Sequence, residues 1–129
     1  MRATFVLVAA LGLLSATIIP AAAHHSFAAE YDSNKPVTLK GTVTKVEWTN
    51  PHARFYVDVK DDRGAVTNWN LELASPNVLA RNGWSRTSLK VGDAVTVDGV
   101  AARDGAKMAN ARAVTLGDGR RVFSGAPGQ

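Results

Sequence analysis

The chain has 129 residues, no cysteine, three histidines and a formal net charge of +4 at pH 7. This length is typical of a single domain, and the lack of cysteine excludes disulfides, cysteine-ligated zinc, iron–sulfur clusters and a thiol nucleophile. Any metal would have to bind histidine, carboxylates or backbone groups. The composition, 46% hydrophobic and 20% charged, is that of a globular protein and not of a disordered one.

The first 23 residues are typical of a secretory signal peptide. One charge, Arg2, precedes an apolar run over residues 5–14, and the small residues Ala21 and Ala23 stand where signal peptidase requires them. We therefore expect cleavage after Ala23, export to the periplasm and a mature chain that begins at His24. A retained membrane anchor is the alternative, but it would need about 20 apolar residues, and this run is shorter. We expect no stable membrane insertion after cleavage.

The mature chain is mildly basic, with its charges spread evenly. It contains no run of consecutive lysines or arginines that would mark a surface for nucleic acid. We expect no nucleic-acid partner.

The N-terminal part of the mature chain predicts an arm followed by a long strand. Residues 24–36 show no clear period and are interpreted as an extended arm. From Val37 to Trp48 apolar and polar residues alternate, with a change of phase near Val43 to Val46 that predicts a bulge. Pro51 ends the pattern because it cannot donate a hydrogen bond to a sheet.

The rest of the chain alternates strand patterns with turn residues. A hairpin turn with Gly64 separates the second and third strands, and Ser75, Pro76 and Gly83 bracket a short helix. The predicted elements are strands over 53–60 and 65–73, a helix over 77–82, strands over 94–100 and 108–116, and an edge segment over 121–123. Residues 124–129 are interpreted as a flexible tail.

This order of elements predicts an all-β fold. A long, bent first strand, two further strands, a short helix and two more strands form the plan of an OB-fold-like, five-stranded Greek-key barrel with its helix between strands three and four. We place this barrel at residues 37–123, expect a monomer, and keep a plain meander sandwich as the alternative.

Two sequence blocks resemble an uncharacterised family of small exported proteobacterial proteins. The most specific matches are His24-His25-Ser26-Phe27 and Trp48-Thr49-Asn50-Pro51-His52, and weaker ones are Gly41-Thr42-Val43, Trp69, Ser75-Pro76, Gly83-Trp84 and Gly92-Asp93. The family is a domain of unknown function, so the resemblance implies an OB-like envelope domain and no activity. Arg54 departs from it, since the family is associated with an aromatic residue there.

All three histidines fall within these two blocks. Cleavage after Ala23 would give His24 a free α-amine beside its own imidazole, and this pair can chelate a metal ion. One more imidazole, from His52, would complete three nitrogen ligands, a set that suits Cu(II). His25, Glu30 or Asp32 could add a further ligand. The candidate metal ligands are His24, His25 and His52, and the candidate cofactor is a copper ion.

The arm must reach His52 for this site to form. Residues 24–36 can span at most about 43 Å, and the first strand measures about 40 Å, so an arm that runs back along the strand would just reach. The alternative is that the histidines are structural or incidental.

A second candidate site is a binding face for a small ligand or an unknown envelope protein. Trp48 and Tyr56 flank the loop that holds His52, and Asn50 lies in that loop; these three are the candidate ligand-binding residues, whereas Trp69 and Trp84 are interpreted as core residues. No phosphate-binding loop or nucleophile elbow occurs, and acidic residues such as Glu72 fall on turns or solvent faces of the predicted strands. We therefore expect a binding protein and not an enzyme.

Overall fold

The computed structural model describes residues 27–123, in which six strands form one sheet. A short helix, α1, lies between the third and fourth strands, and residues 27–30 form a helical segment before the first. The elements are β1 (Tyr31–Glu47), β2 (Arg54–Lys60), β3 (Val66–Glu72), α1 (Pro76–Arg81), β4 (Ala94–Ala102), β5 (Met108–Leu116) and β6 (Arg121–Phe123).

The strands pair into a closed ring. The sheet order is β3-β2-β1-β4-β5-β6, and all of these neighbours are antiparallel. A parallel pairing of β3 with β5, which includes Asn70 beside Met108, joins the two sides. The described residues thus form a mostly antiparallel sheet, which confirms the expected all-β class. The strand number is six and not five, because Arg121–Phe123 pairs with β5.

Strand β1 begins six residues earlier than the alternation of residues predicts. Tyr31 already pairs with Ala102 of β4, and the register is irregular between Tyr31 and Pro36, which explains why this part of the sequence shows no period. A second register shift lies between Val43 and Lys45, within the predicted bulge. These irregularities increase twist and bending, so one strand can pair with β4 along its first part and with β2 along its second.

Apolar side chains fill the interior of the ring. The alternation of β2 and β3 turns Phe55, Val57 and Leu71 inward, where each is fully buried. Trp84 is buried in this core and Trp69 packs against it, as predicted. The core also contains Leu39, Val43, Ala53, Leu73, Ala74, Leu79, Leu89, Val95, Val97, Ala109, Ala111 and Val114.

Helix α1 is short and capped as its sequence indicates. The Ser75 hydroxyl accepts a hydrogen bond from the Val78 amide at 3.3 Å, Pro76 occupies the first turn, and Leu79 is buried in the core. Gly83, with a φ of +88°, follows the helix in the left-handed region that favours glycine. Among residues 27–123, no helix has the length and apolar character needed to cross a membrane.

Candidate functional site

The C-terminal end of β3 places a carboxylate in a buried position outside the main core. Leu71 and Leu73 point into the core, so the intervening Glu72 side chain lies on the other face of the sheet. Glu72 is only 4% exposed. A buried carboxylate is costly unless donors surround it.

Three side chains supply those donors. The Tyr31 hydroxyl donates a hydrogen bond to Oε2 of Glu72, and Nη2 of Arg54 donates to the same oxygen at 3.0 Å. Nδ1 of His52 lies 2.5 Å from Oε1. Nη1 of Arg54 also donates to Oδ1 of Asn70, at 3.2 Å, so Asn70 belongs to the same group of contacts. We call Tyr31, His52, Arg54, Asn70 and Glu72 the Glu72 cluster.

The charge states in the Glu72 cluster follow from burial and from these contacts. Burial of Arg54 acts to lower its pKa, but the neighbouring Glu72, with Tyr31 and Glu30, outweighs it and raises the pKa above its ordinary value. Burial first, and then the hydrogen bond and charge of Glu72, raise the pKa of Tyr31 well above its usual range. Arg54 is therefore a cation and Tyr31 a neutral donor at physiological pH.

His52 is oriented so that one ring nitrogen is left for another partner. An ionised carboxylate only accepts hydrogen bonds, so in the neutral form of the imidazole the contact with Glu72 places the proton on Nδ1 and the lone pair on Nε2. No residue between 27 and 123 forms a hydrogen bond with Nε2, and the side chain is 33% exposed. A histidine held by a buried carboxylate in this way is typical of metal ligands.

Phe27, the first residue that the structure describes, lies beside Tyr31 of the Glu72 cluster. The rings of Phe27 and Tyr31 lie 5.5 Å apart between centroids, and Tyr31 touches Glu72. His24 and His25 lie outside the described residues, but only two or three peptide units separate them from Phe27, a reach of at most about 11 Å.

The predicted path of the arm was wrong. Residues 31–36 belong to β1, which runs beside β4, and do not fold back along the strand. Instead, Tyr31 at the start of β1 contacts Glu72 at the end of β3, and Glu72 in turn contacts Nδ1 of His52. The long reach along the first strand is therefore unnecessary.

Within residues 27–123, no group of three histidine, aspartate or glutamate side chains is arranged to hold a metal ion. His52 is the only histidine in that part of the chain. The carboxylate of Asp32, offered above as a further ligand, accepts a hydrogen bond from the Asn34 amide at 3.0 Å. A complete site at His52 would thus need His24 or His25.

Comparison with known proteins places the chain in a family but gives it no activity. Residues 11–111 match the model described as "Family of unknown function (DUF6152)". The chain belongs to this family. No curated protein and no solved structure matches the DUF6152 chain.

The structure places the three predicted ligand-binding residues of this DUF6152 protein in different settings. Trp48 is half-buried and packs against the core, whereas Asn50 is exposed in the following loop. Tyr56 lies on the outer side of β2, where its hydroxyl donates to Glu47 at 3.3 Å and the Lys45 ammonium stands 5.3 Å from its ring centroid. One side of the Tyr56 ring is thus covered by a cation.

Sequence reasoning missed the residue that organises the site. Glu72 was expected on a solvent face, and that expectation was wrong, since the side chain is buried. The available signal was its place in the apolar run Leu71 to Ala74, where a lone carboxylate needs partners. The partners themselves, Tyr31 and Arg54, could not be identified without the ring closure.

Proposed function

We propose that this DUF6152 protein is an exported periplasmic protein that binds copper. In this proposal the α-amine and imidazole of His24 chelate the ion, Nε2 of His52 supplies the third nitrogen, and His25 is available as a further ligand. The observation that carries the proposal is the contact of Nδ1 of His52 with the buried Glu72, which leaves Nε2 as the ligating atom; the same carboxylate accepts a hydrogen bond from Tyr31, near the start of the described residues.

The donor set favours copper over other common ions. An amine and two imidazoles are nitrogen ligands, which suit Cu(II), whereas calcium and magnesium prefer oxygen. The pKa of a terminal amine, about 8 in general, allows a metal to displace its proton at neutral pH. Glu72 adds a negative charge behind His52, which makes the imidazole a stronger donor.

As part of the same proposal, the protein has an OB-fold-like barrel and is located in the periplasm. A closed ring with a long, irregular first strand and a helix after β3 supports an OB-fold-like barrel. The N-terminal charge, apolar run and small residues support a cleaved signal peptide. We further propose that the protein is a monomer. Its mild and evenly spread charge supports the absence of a nucleic-acid partner.

The test is a Cu(II) titration of processed protein, purified without a tag and with its N-terminus verified by mass. We expect tight, one-to-one binding with an electron paramagnetic resonance spectrum typical of nitrogen ligation. Selective acetylation of the α-amine of His24 should abolish the chelate, and His52→Ala should weaken binding, whereas the control Asn50→Ala in the same loop should bind as the wild type does.

Equal, weak binding by all four proteins would overturn the copper proposal. The alternative would then be favoured, in which an OB-like module binds a small ligand or another envelope protein and its histidines are structural. The outer side of β2 around Tyr56 would be the first surface to test.

A further inference from the structure

Asn110 on β5 is a fully buried polar side chain without a partner in the described part of the protein. It is 0% exposed, and neither Oδ1 nor Nδ2 forms a hydrogen bond with any group of residues 27–123. Exchange of the two amide atoms would not help, because both lack a partner. Burial of an amide without hydrogen bonds is costly, and buried polar groups nearly always bond to protein or to ordered water. The side chain of Asn110 therefore indicates a bound molecule.

The register of the sheet places the Asn110 side chain beside the carboxylate of Glu72. The two residues are directly paired in the parallel ladder of β3 and β5, whose strands lie about 4.8 Å apart. Ala109 and Ala111 face the apolar core, so Asn110 projects to the opposite face, as Glu72 does. On the β4 side the paired neighbour of Asn110 is Val100, which is apolar. Glu72 is thus the polar member of this pair of neighbours.

The carboxylate of Glu72 keeps one site for a further donor. An ionised carboxylate can accept about four hydrogen bonds, roughly two on each oxygen. Among residues 27–123, Oε2 accepts from Tyr31 and Arg54, whereas Oε1 accepts from Nδ1 of His52 alone. The Asn110 amide does not fill the remaining site on Oε1 directly, although the two residues are paired. Neighbouring polar groups beyond hydrogen-bond distance are where a bridging water molecule is to be sought.

We propose that a buried water molecule bridges Asn110 and Glu72: it accepts a hydrogen bond from Nδ2 of Asn110 and donates one to Oε1 of Glu72. A metal cation would be repelled by the Arg54 guanidinium, which already pairs with Glu72, and an anion would be repelled by the carboxylate. Because Oε1 is also the partner of Nδ1 of His52, the water joins the contacts that orient the imidazole. The inference goes beyond the copper proposal and does not depend on it.

The water contacts of Asn110 can be measured by nuclear magnetic resonance in the metal-free, isotope-labelled wild type. The side-chain amide protons of Asn110 should show Overhauser cross-peaks at the water frequency, with the signs that a long-lived bound water gives and proton exchange does not. The control is Asn68, which is exposed and donates to Asp58 at 2.8 Å, so its amide should meet only short-lived surface water. An Asn110 amide without contact to long-lived water would overturn the proposal.

The variant Asn110→Leu tests the same site by the sign of its effect on stability. Leucine keeps the approximate size of the side chain but can neither hold the water nor pass a hydrogen bond to Glu72. We expect the midpoint of thermal unfolding to fall by about 5 °C, whereas the exposed control Asn68→Leu should change it less. If Asn110 binds nothing, an apolar replacement removes an unsatisfied buried amide, and the midpoint should rise instead. A rise would overturn the proposal.

The ring nitrogens of His52 test whether the water bonds to Glu72. The nitrogen chemical shifts of the imidazole, measured at a pH where the ring is neutral, report the hydrogen bond from Nδ1 to Oε1. Loss of the water in Asn110→Leu should change these shifts, and Asn68→Leu should not. Unchanged shifts in a folded Asn110→Leu would overturn the bridge to Glu72, whatever the copper titration shows. If this variant does not fold, the water contacts of the wild type decide.

Discussion

The Tyr31 hydroxyl donates a hydrogen bond to the buried carboxylate of Glu72, 41 positions away along the chain. This bond joins the first residue of β1 to the last residue of β3, on the face of the sheet opposite the apolar core. It also connects the N-terminal segment, through Phe27, to the carboxylate that orients His52. The stability of the fold and the geometry of the proposed metal site therefore depend on the same contacts.

Replacement of the buried carboxylate should be costly. Glu72→Gln keeps the volume of the side chain but removes the charge that compensates Arg54, and it places amide hydrogens against donor groups. We expect a loss of about 2–4 kcal/mol in the free energy of unfolding, measured by urea denaturation. Glu47→Gln is the matched control, since its carboxylate pairs with the exposed Lys45, and this variant should unfold as the wild type does. Equal midpoints for the two variants would contradict the importance of Glu72.

Alkaline pH should destabilise the protein through Tyr31. Its folded pKa is raised, so the folded state retains the phenol proton after the unfolded state loses its own, at about pH 10. The stabilising contribution is complete below that pH and is lost as the pH rises toward the folded pKa. The free energy of unfolding should therefore decrease above about pH 10, and Tyr31→Phe should flatten this slope.

The raised pKa of Tyr31 can be observed directly. The chain has two tyrosines, so in Tyr56→Phe the phenolate absorbance reports Tyr31 alone. Ionisation should appear only together with unfolding, as followed by circular dichroism. A phenolate that forms in the folded protein near the ordinary pKa would disagree with the contact to Glu72.

Acidic pH should weaken a surface contact between three strands. Asp98 on β4 accepts hydrogen bonds from the Thr38 hydroxyl and from Nη1 of Arg121, each at 2.8 Å, and these lower the pKa of Asp98. These hydrogen bonds contribute fully to the free energy of unfolding above the ordinary pKa of an aspartate, about 4. Their contribution is lost as the pH falls through the lower pKa that Asp98 has in the folded protein. Asp98→Asn should flatten the acid side of the stability profile, and Asp62→Asn, in an exposed turn, should not.

Close approach of β4 and β5 makes Gly99 difficult to replace. A Cβ atom at Gly99 would lie 2.2 Å from the backbone carbonyl oxygen of Asn110, so Gly99→Ala forces the two strands apart. We expect a loss of about 3 kcal/mol in thermal or urea unfolding. Gly117→Ala is the control, because its nearest contact would be an ordinary 3.6 Å from the Ala94 carbonyl oxygen. Similar stability of the two variants would contradict the close approach of β4 and β5 at Gly99.

The strand pattern of the sequence determined most of the sheet. Alternating residues predicted β5 at its observed bounds and β2 and β3 to within one residue at each end, because each strand has one face against the core. Ser75 and Pro76 predicted the start of α1, and the change of phase near Val43 predicted the register shift in β1. Local patterns carry this information because side-chain direction and capping act over a few residues.

The site depended on contacts that no local pattern contains. Closure of the ring through β3 and β5 buried Glu72 and brought Tyr31, His52 and Arg54 to it from three separate parts of the chain. The sequence by itself determined that the histidines occur in two blocks and that the chain forms an all-β domain. Only the tertiary structure decided which nitrogen of His52 remains for a ligand, because the position of its proton is set by a carboxylate 20 residues away.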